Sequence, residues 1–186
     1  TERFSKIGAK PNLEQHDVNQ VITNTISYLK NRLSKNVNFS QQGSSGEVIA
    51  SMNVPLLEWV LENIIKNGVD AIGGDGNIDI NITDQSQFVY FDISDNGKGI
   101  PTEIINIIGK RGQSFGKEDG QGLGLSYCLE TISKMDGEVN ISNIPNSGCS
   151  VKISLPKAKS PKWLASSLDI KTDVVFENFL NDSRKI

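Results

Sequence analysis

Three stretches of this chain carry side chains whose types and spacing could do chemistry. Asp95-Asn96-Gly97-Lys98-Gly99-Ile100-Pro101 follows a run in which Val89, Phe91 and Ile93 alternate with less apolar residues, as one-sided burial of a strand requires. That strand delivers one carboxylate to its own end. Gly97 and Gly99 let the backbone turn sharply and approach a ligand closely, because glycine has no Cβ to obstruct it. Gly120-Gln121-Gly122-Leu123-Gly124-Leu125 runs into an apolar-patterned helix. Free N–H groups and a positive dipole end at such a helix start suit an anion, with phosphate the natural occupant. Asn63, Asn67 and Asp70 fall on one narrow face of a third segment at about 100° per residue. Taken singly, these are an acidic turn, a glycine-rich helix entry and a solvated helix face; their order in the chain gives them weight.

The elements that must position these residues follow from periodicity. Val18, Val21, Ile22, Thr25, Ile26, Leu29 and Leu33 recur at helical spacing behind Asp17 as N-cap, predicting a helix to about Leu33. Residues 36–42 and 47–52 read as short strands separated by the turn at 42–46. A second helix is predicted over 54–72, capped by Asn53, with Pro55 in its first turn, where a missing N–H does no harm. Its core stripe is Leu57, Leu61, Ile64, Ile65 and Ile72. Residues 77–83 and 88–94 form a hairpin. A short apolar helix, 104–108, and an aperiodic glycine-rich charged loop, 109–119, precede the last helix, whose buried face is Leu125, Leu129, Ile132 and Met135. Residues 138–141 and 148–155 make a final hairpin.

Composition narrows the partners. The chain has 186 residues, enough for one medium domain plus a tail, and 19 basic against 22 acidic residues give a net charge of −3. No basic block is present, so nucleic acid is not expected as a partner. Cys128 and Cys149 lie in apolar-patterned segments without metal-ligand spacing and read as small buried hydrophobes in a reducing, cytoplasmic setting. No apolar run reaches membrane-spanning length. A chain that begins with Thr is expected to be cut from a longer parent.

In this order, Asn63 with Asn67, Asp95-x-Gly97-x-Gly99, Gly120-x-Gly122-x-Gly124 and Gly148-Cys149-Ser150 resemble the Bergerat-type ATP-binding fold of sensor histidine kinases, type II topoisomerases, mismatch-repair ATPases and heat-shock chaperones. The likeness is greatest to the catalytic and ATP-binding domain of bacterial sensor histidine kinases, over residues 13–156. Residues 1–12 resemble the end of a dimerising helical hairpin and its linker, and 157–186 a C-terminal extension or the start of a further module. The resemblance implies an α+β fold, a two-layer α/β sandwich whose mixed, mostly antiparallel sheet is covered on one face by about three helices.

It also implies ATP and Mg²⁺ as cofactors, with roles for particular residues. Asp95 would accept the adenine exocyclic amine, Asn67 would give its amide oxygen to Mg²⁺ with Asn63 in support, and Gly97, Gly99 and Ile100 would border the base. Gly120, Gly122, Leu123, Gly124 and Leu125 would meet the phosphates, Asp70 completes the nucleotide-binding set, and Lys110, Arg111 and Lys117 are loop candidates for phosphate contact. Where relatives have threonines, this chain has Cys149 and Ser150, leaving Ser150 to supply the hydroxyl near adenine. Hydrolytic relatives carry a water-activating glutamate at the position of Asn63, and Glu62 should face elsewhere, so phosphoryl transfer to an external histidine is implied. His16, the only histidine, does not fit as that acceptor, because a second long helix must separate acceptor and nucleotide domain. The implied partners are a dimerising phosphoacceptor domain of the same protein and a response-regulator receiver, the parent being dimeric and able to sit at the inner membrane. Alternatives on the same fold are a non-catalytic nucleotide-sensing module and an anti-sigma-type serine kinase.

Overall fold

The computed structural model describes residues 11–33, 36–44, 46–103, 105, 123–145 and 147–157. The expected loop at 109–119, the tail beyond Lys157 and all but Ile105 of the expected helix at 104–108 lie outside them.

Strand β1 (Glu14–Asp17) leads into helix α1 (Val18–Lys30), and strands β2 (Val37–Gln42) and β3 (Ile49–Met52) precede helix α2 (Val54–Ile72). Strands β4 (Gly76–Asp84) and β5 (Phe88–Asp95) come before helix α3 (Leu123–Lys134), and strands β6 (Glu138–Asn143) and β7 (Cys149–Pro156) close the fold. Both expected caps are present. Asp17 Oδ1 accepts the N–H of Asn19 at 3.1 Å, and Asn53 Oδ1 accepts that of Leu56 at 3.2 Å. Helix α2 ends on Gly73 at φ 66°, whose N–H donates to Val69 O.

The main sheet has the order β2-β4-β5-β7-β6, with β2 parallel to β4 and the other pairs antiparallel. Ile78, Ile80, Ile82, Val89, Phe91, Ile93, Val151, Ile153 and Leu155 are buried on one face, and the helices supply Ile22, Leu29, Leu57, Leu61, Ile65, Cys128 and Ile132 to the same core. This is the expected two-layer sandwich. At about 25 cal/mol per Å² of apolar area, such a core is what holds the three helices on the sheet. The outer face carries polar residues such as Asp79, Asp92, Ser150 and Lys152.

The sequence reading left the pairing of the two short strands open, did not mark β1, and carried the first helix further than the structure does. Strands β2 and β3 do not pair with each other: β2 runs parallel to β4, through the crossover containing α2, while β3 pairs with β1 in a separate two-stranded sheet. Strand β1 is too short and too exposed to show an alternation, which is why the sequence left it unmarked. Helix α1 stops at Lys30, one turn before Leu33. Sheet hydrogen bonding also continues one residue past Pro156, since Lys157 N–H donates to Gln87 O at 2.9 Å and its Nζ lies 2.6 Å from Asp84 Oδ1.

Candidate functional site: a cavity between a helix and the sheet

The side chain at position 95 shares the two-residue period of Val89, Phe91 and Ile93, so β5 aims its carboxylate at the inner face of the sheet, beneath α2. There Asp95 Oδ1 accepts the N–H of Gly97 at 2.8 Å, and the backbone of Cys149 adds a second hydrogen bond to the carboxylate. Burial pushes the pKa of Asp95 up and the two backbone bonds pull it partly back, the burial being the larger effect. Oδ2 is the oxygen nearest Gly68: an added Cβ at Gly68 would stand 3.4 Å from Asp95 Cβ and 3.6 Å from Oδ2.

Around this carboxylate lies a cavity of about 60 Å³. Asn67, Gly68 and Ala71 of α2 form one wall, at the i, i+1, i+4 spacing of a single helix face. Ile78, Ile93, Cys149 and Val151 of the sheet form another, and Gly99, Ile100 and Leu125 close the side. The lining is apolar apart from the carboxylate, an amide and a thiol. That composition suits a flat, largely apolar ring with one hydrogen-bond donor on its edge.

The backbone geometry around Asp95 depends on missing side chains. At Gly148, φ is 83° and a Cβ would fall 2.1 Å from Asp95 O, so β7 reaches the carboxylate only because this residue is glycine. At Gly97 a Cβ would lie 2.6 Å from Ala71 C, and Lys98 N–H donates to Ala71 O at 3.2 Å, which packs the turn onto the end of α2. Asn143 then fixes the exit of the turn. Its Oδ1 accepts from Ile100 N at 2.9 Å and its Nδ2 donates to Ile100 O at 2.7 Å, a two-bond clamp that holds Ile100 against the cavity.

The structure therefore brings together Asn67, Asp95, Gly99, Ile100 and Leu125 as lining, with Gly97 at the turn. Asn63 stands next to Gly124: its Oδ1 is 3.2 Å from where a Cβ of Gly124 would be, while its Nδ2 donates back to Trp59 O at 2.7 Å. The amide oxygen of Asn63 thus faces the start of α3. Asp70 is exposed and is not among the lining residues. Lys110, Arg111, Lys117, Gly120 and Gly122 lie outside the described residues, and Leu123 is described only as the first residue of α3.

Ser150 is a correction. Its period along β7 puts it on the outer face, where Oγ donates to Asp92 Oδ1 at 2.6 Å, and Cys149 takes the place beside Asp95. The Cys149 thiol is pushed up to about 11, first by burial and then by the nearby carboxylates of Asp95 and Asp92, and so stays protonated at neutral pH. Both cysteines are free and buried, as the apolar patterning implied. Glu62 faces the opposite flank of α2 from the cavity, toward α1, and His16 lies in β1, 3.6 Å from Glu14 Oε2.

Gly68, Ala71 and Asn143 were not singled out from the sequence, and Gly148 appeared there only as part of the closing-strand motif, without a role at the site. A glycine in the middle of a 19-residue helix was the available signal for Gly68, since glycine weakens a helix interior. For Asn143, on an exposed edge strand, no local pattern distinguishes it.

The fold is a two-layer α/β sandwich with a cavity between one helix and its sheet. The family model for histidine kinase-, DNA gyrase B- and HSP90-like ATPases matches residues 52–159, more than half of the chain. Sporulation kinase A of Bacillus subtilis (strain 168) is 37% identical over 101 residues, which cover 54% of this chain and 16% of that kinase. The catalytic domain of histidine kinase ThkA superposes with a TM-score of 0.71 at 23% identity, over 79% of this chain and 99% of that domain. A structure of ThkA in complex with the response regulator protein TrrA superposes with a TM-score of 0.67 at 22% identity, over 78% of this chain and 42% of ThkA.

The chain belongs to the histidine kinase-, DNA gyrase B- and HSP90-like ATPase family. Within it, its homologues are sensor histidine kinases of two-component signal transduction. It spans only a sixth or so of the length of sporulation kinase A. Among the described residues, no helix is long and apolar enough to cross a membrane.

Proposed function

We propose that residues 13–156 bind ATP with Mg²⁺ between α2 and the sheet and present the γ-phosphoryl group to a histidine on a dimerising helical domain outside this sequence. The single observation that carries the reading is the half-buried Asp95 carboxylate, with Oδ2 toward Gly68 in an otherwise apolar cavity. A purine that offers its exocyclic amine there gains a charge-assisted hydrogen bond of about 1.5–3 kcal/mol. Guanine would set a carbonyl against the carboxylate and is disfavoured.

The cavity of about 60 Å³ takes only the inner edge of a base, so sugar and phosphates would extend outward along α2, past Asn67 toward Asn63 and the start of α3. The donor set fits Mg²⁺ only in company with phosphate. Asn67 and Asn63 offer neutral amide oxygens, and no cluster of three or more acidic, cysteine or histidine side chains among the described residues could hold the ion alone. When bound, the ion would neutralise phosphate charge. The chain's own residues hold the base and align the phosphates, and position 63 supplies an amide where a water-activating base would need a carboxylate. Transfer to an external nucleophile fits this better than hydrolysis. We place the acceptor domain upstream, in the parent protein that residues 1–12 would join, and a response regulator downstream in the signalling chain. The cytoplasm is the expected compartment.

The test is a melting-temperature titration of the chain with ATP·Mg²⁺ and with GTP·Mg²⁺, followed by addition of a purified dimerising domain and measurement of acid-labile phosphate on it. An ATP-selective upward shift and labelling of the added domain are expected. No shift with ATP in a correctly folded sample overturns nucleotide binding; a shift without label overturns transfer and favours a nucleotide-sensing module.

A further inference from the structure

The flank of α2 that faces away from the nucleotide cavity carries a second concavity, and nothing in the proposed phosphoryl transfer uses it. Around a space of about 310 Å³, Asn24, Thr25 and Tyr28 of α1 face Pro55, Glu58, Trp59 and Glu62 of α2. At 100° per residue, Glu58, Trp59 and Glu62 centre about 150° from Asn67 and Ala71, so one helix serves two surfaces.

The chemistry of the groove is specific. On the α1 wall, Thr25 Oγ1 donates to Val21 O at 2.8 Å, and Asn24 Oδ1 accepts from Gln20 Nε2 at 2.8 Å. On the α2 wall, Glu58 and Glu62 stand one turn apart as like charges, and among the described residues neither has an ion pair or hydrogen bond. Trp59 of α2 and Tyr28 of α1 complete the lining, Tyr28 being 48% exposed and the most exposed large apolar side chain among the described residues. The guanidinium of Arg32 sits 4.3 Å from the Tyr28 ring centroid and is not among the groove lining, so one face of this ring already carries a cation of the chain itself.

An anion is excluded from the groove by the two carboxylates, and a purely apolar group would leave them desolvated without a partner. A group with an apolar stem and a cationic head satisfies both walls: the stem covers the rings and the head lies between the carboxylates. An open groove with an exposed tyrosine, a tryptophan and a proline between two helices has the make-up of a protein contact. We propose that the α1/α2 groove is a docking site for an arginine or lysine side chain of a partner protein, separate from the nucleotide cavity and independent of nucleotide.

The test uses the full chain with Trp163→Phe, so that Trp59 gives the one indole N–H resonance. The probe is a blocked octapeptide of alternating arginine and serine, with glutamine replacing arginine in the control, at physiological salt and without nucleotide. The arginine peptide is expected to shift the Trp59 resonance to saturation and the control peptide to leave it in place. Glu58→Gln with Glu62→Gln should weaken binding about tenfold or more, and Tyr28→Ala should weaken it too, whereas Glu130→Gln on α3 should not. Tyr28, Glu58, Glu62 and Glu130 are at or near the surface, and an unchanged melting temperature verifies that each variant is folded. An unmoved Trp59 resonance, or equal binding by the double glutamine variant, overturns the proposal. Free arginine amide binding as tightly as the peptide also overturns it, because the groove would then be a small-molecule site. A failure of ATP to bind bears on none of these outcomes.

Discussion

Replacing Asp95 by asparagine separates the carboxylate's proposed role in binding from its cost to the fold. Asparagine is nearly isosteric and keeps an oxygen that can accept from Gly97 N–H, now 2.8 Å from Oδ1. What changes is the atom toward Gly68: Oδ2, an anionic acceptor, becomes an amide nitrogen, a donor. Against an adenine amine this removes a charge-assisted bond of about 1.5–3 kcal/mol, and at about 1.4 kcal/mol per tenfold the affinity for ATP should fall about 10- to 150-fold. Stability should move the other way. Burial is the dominant influence on Asp95 and raises its pKa, so the folded state holds the proton more tightly than the unfolded chain does. The contribution of this group therefore favours the fold at low pH, below the unfolded value of about 3.9, and is lost as pH rises through the raised folded value.

The melting temperature of Asp95→Asn relative to the native chain should thus climb as pH rises from about 4 and level off above the raised folded value. Calorimetric titration with ATP·Mg²⁺ and melting curves across that pH range read both effects on the same samples. ATP affinity within twofold of the native chain would refute the assignment of the base to this carboxylate. A variant that is markedly less stable at pH 7 would show that the two backbone hydrogen bonds outweigh burial.

Three glycine substitutions and one reaction extend the test, two of the glycines lying beside Asp95 and the third serving as a control. Gly68→Ala should leave stability within about 1 kcal/mol or raise it, because alanine favours a helix interior and the added Cβ makes contacts no closer than 3.3 Å; it should weaken ATP binding by narrowing the space beside Asp95 Oδ2, and unchanged affinity would remove Gly68 from the site. Gly148→Ala combines a left-handed φ of 83° with a 2.1 Å approach to Asp95 O, so urea unfolding should show a loss of about 2–4 kcal/mol. The same change at Gly46, whose φ is 109° with open space around it, should cost only the backbone strain of about 1–2 kcal/mol. The thiols of Cys149 and Cys128, pushed up to about 11 and about 12 by burial, should resist iodoacetamide at pH 8 in the native chain and react readily in denaturant; fast native alkylation of Cys149 would contradict the burial of that wall.

Helix α2, the hairpin of β4 and β5 and the final strand were legible from periodicity because each buries one regular face. Helix α1 was legible for the same reason, although its last turn was not: Leu33 keeps the spacing but lies past the end of the helix, among turn residues. β1 has four residues and no buried alternation, so its pairing with β3 depends on tertiary contact alone. The parallel pairing of β2 with β4 is a long-range fact, reached through α2, that no window of local sequence contains.

Much of the candidate site follows the same division. Asp95 and its glycine turn, Asn67 on its helix face and Leu125 at the last helix could be named from type and spacing, since a strand end and a helix face fix where such side chains point. Ser150 was misplaced although its face was legible: it falls out of phase with Cys149, Val151, Ile153 and Leu155, so the period that turns Cys149 inward turns the hydroxyl outward. Pairing with β5 decided only the neighbours, Asp92 for Ser150 on the outer face and Asp95 for Cys149 on the inner. Gly148, Gly68 and Asn143 became part of the site through contacts with residues distant in sequence: two through the absence of a Cβ, one through a side-chain clamp on a backbone far along the chain. Local sequence determined which elements form and which face of each is buried, because propensity and periodicity act within a few residues. The tertiary structure decided which residues line the cavity and which open onto the α1/α2 groove, because those contacts exist only once the helices are packed on the sheet.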